Sequence, residues 1–361
     1  MEKILVTGAL GYIGSKLLPY LSERGLFTLG YDTGFFKDCN LWPSEDENVV
    51  LKDMRHVQKS DFDNIDAVIH LADISNDPFG NLDPEVIFKP TRLFSLKIAK
   101  ICKQKQIKFI FSSSCSIYGK ASHSLLTETS NPNPQTPYSL NKLMIEQDLK
   151  KISDRTFSPI CLRFATIFGP SPRMRFDIVI NMFVGMALTT KQIILNSDGQ
   201  AWRPNVYIED VCKAIYHAIN FQSDLDQPLI LNVGDTEQNF KILDLAKMVQ
   251  SQIQGTEIKF MQENRDFDEK ALELIKDRKV QDGVDTRNYK VSFEAIKKVF
   301  KGFKCDWTVR EGIAELSTIL EKKGLTEALL KNINFYRLQK IEYLHKNSLI
   351  DNNLFWIDKM R

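Results

Sequence analysis

The chain has 361 residues, 43% of them hydrophobic, which is ample for a large core and predicts about two domains, or one nucleotide-binding domain carrying a second lobe. Lys plus Arg number 48 against 46 Asp plus Glu, so a net charge of +2 gives no global field for nucleic acid or a membrane surface. Six cysteines without a Cys-x-x-Cys pair and five histidines without His-Glu-x-x-His argue against structural zinc. The expectation is therefore a soluble cytoplasmic protein with free thiols, no metal, and no apolar run near the roughly 18 residues that would cross a bilayer.

The elements follow in order. "KILVTG" (3–8) reads as a buried parallel strand that ends in glycine, and a helix pattern runs from about Tyr12 to Arg24. "FTLGYD" (27–32), "NVVLKD" (48–53) and "DAVIHLA" (66–72) are further strands. Residues 84–106 have helical period, with Pro90 predicting a kink or a late start. "KFIFSSS" (108–114) is a strand ending in hydroxyls; proline-rich loop, a helix from near Tyr138, and the strand "PICLRF" (159–164) follow. Alternating strands and helices predict an α/β fold, a doubly wound parallel sheet of Rossmann type. Beyond Gly169 come a helix (177–189), a short strand (192–195), a strand-helix unit at "NVYIEDV", a buried strand at 228–234 and a charged segment (263–290). This divides the chain into a nucleotide-binding domain (1–169 and 205–234), a smaller substrate lobe (170–204 and 235–323) and a helical tail (324–361), read as a docking helix pair rather than a binding arm.

"TGALGYIG" puts Gly8, Gly11 and Gly14, with Tyr12 and Ile13 between them, at the junction of the first strand and first helix. Residues without Cβ permit the tight turn and let backbone approach a pyrophosphate, which would sit on the helix N-terminus. Asp32 ends the second strand, where an acid bonds the ribose hydroxyls of NAD and repels a 2′-phosphate.

"PYSLNK" (137–142) puts Tyr138 and Lys142 one helical turn apart on one face. Tyr12 with Lys16 and Tyr336 with Lys340 share that spacing, so context must choose. Tyr12 belongs to the glycine loop, and Tyr336 lies in the tail, far in sequence from any sheet edge. Tyr138 alone follows a strand ending in "SSS", and ligands of open α/β sheets bind beyond the carboxyl ends of strands. A free tyrosine is a poor base near neutrality, and a lysine ammonium favours its phenolate. Tyr138 could then take a proton from a substrate hydroxyl while Ser114 holds the substrate oxygen.

Together "TGALGYIG", "DAVIHLAD", "FSSSCSIYG" and "YSLNK" resemble the extended short-chain dehydrogenase/reductases, the branch of nucleotide-sugar epimerases and dehydratases. The likeness runs from residue 2 to about 320. It implies NAD as cofactor, a nucleotide-diphosphate sugar as substrate and a homodimer, with Ser114, Tyr138 and Lys142 as catalytic trio. By the same resemblance Asp53 and Met54 contact adenine, Leu71 and Ala72 offer backbone to the dinucleotide, and Ser112 lies beside the nicotinamide. "WRPNVYIEDV" is similar to the family segment whose arginine clamps the substrate diphosphate, which falls on Arg203. Thr166 stands where a substrate-contacting asparagine is usual, and Arg173, Arg175 and Arg287 are further basic candidates for phosphate. Departures narrow the chemistry. Cys115 and Ser116 occupy the two places of the dehydratase acids, Asp73 replaces a usual alanine and Thr91 a usual asparagine. His70 reads as packed rather than reactive. The expected activity is hydride transfer at a ring carbon, most simply C4, as epimerase or dehydrogenase. The alternatives are a keto-sugar reductase and a silent NAD-binding sensor or RNA-associated protein.

Overall fold

A computed structural model describes residues 2–44, 48–75, 84–261 and 287–357. The charged segment read at 263–290 lies, up to residue 286, outside them. Seven parallel strands form the main sheet: β1 (Lys3–Thr7), β2 (Phe27–Asp32), β3 (Val49–Leu51), β4 (Ala67–His70), β5 (Lys108–Ser114), β7 (Ile160–Phe164) and β11 (Leu229–Val233). Their order is β11-β7-β5-β4-β1-β2-β3. The chain winds outward in both directions from β1, which pairs with β2 on one side (Val6 opposite Gly30) and β4 on the other (Val6 opposite Ile69). The crevice of a doubly wound sheet opens at this reversal, beyond the carboxyl ends of β1 and β4. Near-continuous apolar runs such as Ile4–Val6 and Val68–Ile69 are fully buried because helices cover both sheet faces.

Those helices are α1 (Gly14–Ser22), α2 (Pro84–Lys105), α3 (Pro137–Ile152) and α5 (Ile208–Asn220). Pro90 neither delays nor ends α2, which runs through it. α3 begins sharply. Pro137 occupies its first turn, and Thr136 and Ser139 cap it reciprocally, each side chain bonding the other's backbone N–H. Such a cap contributes about 1 kcal/mol and fixes the phase of the helix, hence the direction of Tyr138 and Lys142.

Five strands went unread in the sequence: β6 (Lys120–Leu126), β8 (Thr166–Phe168), β12 (Asn239–Lys241), β13 (Glu257–Phe260) and β14 (Asn288–Val291). β6 pairs in parallel with β14, and β8 pairs with β10 (Trp202–Tyr207), which also carries β12. β9 (Gln192–Leu195) with β13 completes the smaller sheets. A second core is built by α4 (Val179–Thr190), α6 (Ile242–Gln252) and α8 (Val309–Lys322), around Phe183, Val249 and Leu316. α7 (Glu294–Val299) packs against β11. The tail forms α9 (Glu327–Leu330) and α10 (Arg337–Lys346), then turns back through an Ile350–Trp356 bridge. Among the described residues no helix is long and apolar enough to cross a membrane.

Candidate active site

A cavity of about 1330 Å³ lies over the carboxyl ends of β1, β4 and β5 and continues between the main sheet and the smaller lobe. That exceeds the 300–1,000 Å³ typical of one drug-sized ligand.

Its first end is the glycine loop. Gly8 has φ +75°, and a Cβ there would lie 2.8 Å from the Ala72 backbone nitrogen; a Cβ on Gly14 would meet the Gly8 and Ala9 carbonyl oxygens at 2.4 Å. The loop after β1 thus closes on the loop after β4, which is why Leu71 and Ala72 share the cavity wall with Gly11, Tyr12 and Ile13. Tyr12 itself is buried, its hydroxyl donating to the Gly169 carbonyl at 2.6 Å, and Lys16 pairs with Glu209 at 3.2 Å. Asp32 accepts from Leu10 N (3.0 Å) and Gly34 N (2.7 Å). Burial nevertheless raises its pKa, against the pull of those two bonds and of Arg337 and Arg173. The glycine cradle and this carboxylate fit a dinucleotide with free ribose hydroxyls. Asp53 and Met54 also line the cavity, but Asp53 is taken up by Arg55, whose Nε donates to its two oxygens at 2.9 and 3.0 Å.

In the middle, Lys142 is buried. Its Nζ donates to the Ser112 carbonyl at 2.7 Å and sits 5.6 Å from the Tyr138 ring centroid. Asp73 Oδ2 lies 2.9 Å from the same nitrogen, both side chains at most 3% exposed. This contact is an ion pair without hydrogen-bond alignment, since neither Asp73 oxygen has a donor bonded to it among the described residues. The departure at position 73 therefore lands on the lysine of the expected trio. Ser114, Ser116 and Tyr138 line the cavity, and Ser114 Oγ accepts from Ser116 N at 3.1 Å. Cys115 points away, its Sγ 3.1 Å from the Arg163 carbonyl, and burial raises its pKa well above a free thiol's. His70 is packed. Its nitrogens meet Thr7 Oγ1 (2.7 Å) and Ser95 Oγ (2.8 Å), and burial, then the charge of Lys142, push its pKa down to about 3. Thr91 spends its hydroxyl on the Ile87 carbonyl at 2.9 Å.

The far end gathers Thr166, Arg203 and Arg287. Arg203 Nη1 donates to the carbonyls of Trp202 (2.8 Å) and Arg287 (2.5 Å), and its guanidinium lies 5.6 Å from the Tyr289 ring. Arg175 is elsewhere. It pairs with Asp177 (2.8 and 2.9 Å) beside Ser75, toward the dinucleotide end.

The tail was the part missed. Tyr336, Arg337, Leu338, Gln339 and Leu354 line the cavity. Arg55 donates to the carbonyls of Asn353 and Leu354 (2.5 and 2.8 Å) and stacks on Phe355, and the Trp356 indole N–H donates to the Thr33 carbonyl at 2.7 Å. Distance in sequence from a sheet edge was thus a poor guide for Tyr336. Its partner by spacing, Lys340, instead donates to Asn334 Oδ1 at 3.0 Å. An arginine followed by apolar residues at every third position, Leu338, Ile341 and Leu344, was the available signal.

A parallel doubly wound sheet with a glycine cradle, a buried acid closing its second strand and a Tyr-x-x-x-Lys helix at its carboxyl edge defines a dinucleotide-dependent enzyme. Residues 4–234 match the NAD dependent epimerase/dehydratase family, and the chain belongs to that family, with NAD as its cofactor. It is 30% identical over 237 residues to an uncharacterized UDP-glucose epimerase of Bacillus subtilis, covering 59% of this chain and 71% of the relative. A UDP-glucose 4-epimerase of Streptococcus mutans is 26% identical over 282 residues, 69% of this chain and 82% of the relative. Among solved structures, UDP-glucose 4-epimerase of Thermotoga maritima with UDP-glucose shares the fold with a TM-score of 0.72 at 22% identity, over 89% of this chain and 99% of that one.

Proposed function

We propose that this enzyme is an NAD-dependent 4-epimerase of a nucleotide-diphosphate sugar, with UDP-glucose the first substrate to try. The observation that carries it is Lys142, fixed on the Ser112 carbonyl beneath Tyr138 in a cavity that continues to Arg203 and Arg287. Lys142 favours the Tyr138 phenolate, which takes the proton of the C4 hydroxyl and later gives it back. Ser114 donates to the same substrate oxygen and shares its developing charge. Bound NAD supplies the acceptor, and then the donor, of the C4 hydride. Arg203 and Arg287 hold the substrate diphosphate, for which a guanidinium is suited because it stays charged and binds bidentately. Water elimination is disfavoured because Cys115 faces the core and Ser116 is no carboxylic acid. Leu93 on α2 and Leu140 on α3, 61% and 48% exposed, support pairing of two copies through these helices.

The test is incubation with UDP-glucose and other nucleotide sugars, followed by product separation. Epimers without net cofactor reduction are expected, and Tyr138→Phe should lower the rate by about 10²–10⁴-fold. Net reduction with a keto sugar would make it a dehydrogenase, and full activity of Tyr138→Phe would remove the mechanism.

A further inference from the structure

Two buried guanidinium groups beside the glycine-loop end of the cavity make no ion pair with a carboxylate among the described residues. Arg173 (0% exposed) and Arg337 (6% exposed) lie 4.7 and 5.4 Å from the centroid of one ring, Phe36. Arg173 Nη1 donates to the Met174 carbonyl at 2.5 Å, while its Nε and Nη2 have no hydrogen-bond partner among the described residues. Arg337 Nη1 donates to the Ser75 carbonyl at 3.0 Å and to the Ser75 hydroxyl, while its Nε has no hydrogen-bond partner among the described residues. Neither makes an ion pair among the described residues, in contrast to Arg175 with Asp177. Burial, and the mutual repulsion of Arg173, Arg175 and Arg337, push Arg337 down to about 9 and Arg173 to about 10, against the attraction of Asp177 and Asp32. A cation buried without an anion is costly, and a fold keeps one where a ligand completes it.

The position says which ligand. Arg337 shares the cavity wall with Gly11, Tyr12, Ile13 and Asp32, and Arg173 N lies 3.4 Å from Ser15 Oγ in the first turn of α1. The N-terminal end of such a helix favours an anion. Arg337 is carried there by α10, which is held down by Ile341, Leu344 and Leu354 packed on Phe36, Ile87 and Phe88.

We propose that the segment Arg337–Trp356 is a strap across the bound dinucleotide, and that Arg337, backed by Arg173 behind Phe36, is the cationic partner of the cofactor's diphosphate. This rests on NAD as the bound dinucleotide and not on which sugar is turned over. The strap retains the cofactor through successive turnovers, as a reaction that restores NAD at each cycle requires.

Two readouts test it in the full chain: exchange of bound NAD against labelled NAD in the holoenzyme, and competition by ADP and by adenosine. Arg337→Gln should speed exchange and weaken ADP by about tenfold or more, as expected for one charge-assisted contact, and leave adenosine within about twofold. Arg337→Leu, which keeps the packing on Phe36, must give the same split, and decides the matter should the glutamine variant not fold. Unchanged exchange, or an equal loss for ADP and adenosine, would overturn the strap while leaving the epimerase reading intact. A wild-type chain that holds no NAD would overturn the cofactor itself.

Discussion

The molecule buries arginine in two ways. Under the sheet, Arg163 is complete: its Nε and Nη2 donate to Glu146 at 3.0 and 2.6 Å, and its Nη1 to the Tyr118 hydroxyl at 2.9 Å. Glu146 also accepts from Ser113 at 2.5 Å, and Tyr118 donates to Asn232 at 2.8 Å. Burial opposes the charge on Arg163, yet Glu146 more than restores it and its pKa is raised. Around Phe36, Arg173 and Arg337 have the burial without a paired carboxylate among the described residues. A closed network clamps α3 onto β5 and β7 and so belongs to the fold. An open one, at the wall of a cavity, is part of a binding site whose other half arrives from solution.

The largest effect expected from that contrast is on Glu146. Glu146→Ala strands Arg163 and should cost about 3–5 kcal/mol of stability in denaturant unfolding; a cost below about 1 kcal/mol would erase the distinction. Arg173→Met should do the opposite, leaving the protein as stable or up to about 1–4 kcal/mol more so, since an apolar side chain replaces an uncompensated charge. A clear drop in its melting temperature would mean that Arg173 is structural.

His70 sharpens the contrast from the neutral side. Its folded pKa of about 3 lies below the ordinary 6.5, so the unfolded chain takes up a proton first as pH falls. Its contribution is intact above 6.5 and drains away between 6.5 and 3, by about 2 kcal/mol at pH 5. His70→Gln should remove that slope from the pH dependence of unfolding, and an unaltered slope would place the titration elsewhere. The smallest effect concerns the Asp73–Lys142 pair, buried and paired but poorly aligned. Asp73→Asn leaves the ammonium uncompensated beside Tyr138 and further favours the phenolate. The acid limb of the kcat–pH profile should move to lower pH by up to about one unit; movement to higher pH would show that Asp73 serves to position Lys142.

The legible half of the site is the half written in short stretches. Gly8, Gly11 and Gly14 touch what lies within a few residues or on the next strand, and the Thr136 cap sets Tyr138 and Lys142 within one helix. The main-sheet strands were readable because buried parallel strands are unbroken apolar runs. β6 was not: "KASHSLL" has few apolar residues, and its partner β14 lies some 160 residues on. The roof of the cavity was hidden for the same reason. Arg55 meets Asn353 across 298 residues, and an amphipathic helical tail looks the same whether it packs on a helix or over a cofactor.

At each end of the cavity an indole stands next to a residue of the wall. Trp356 donates to the carbonyl of Thr33, the residue after Asp32, and Trp202 stands next to Arg203 with Lys290 5.0 Å from its ring. With the other tryptophans replaced, either one becomes an optical reporter, so that filling of the dinucleotide end and of the sugar end can be timed separately in the same enzyme.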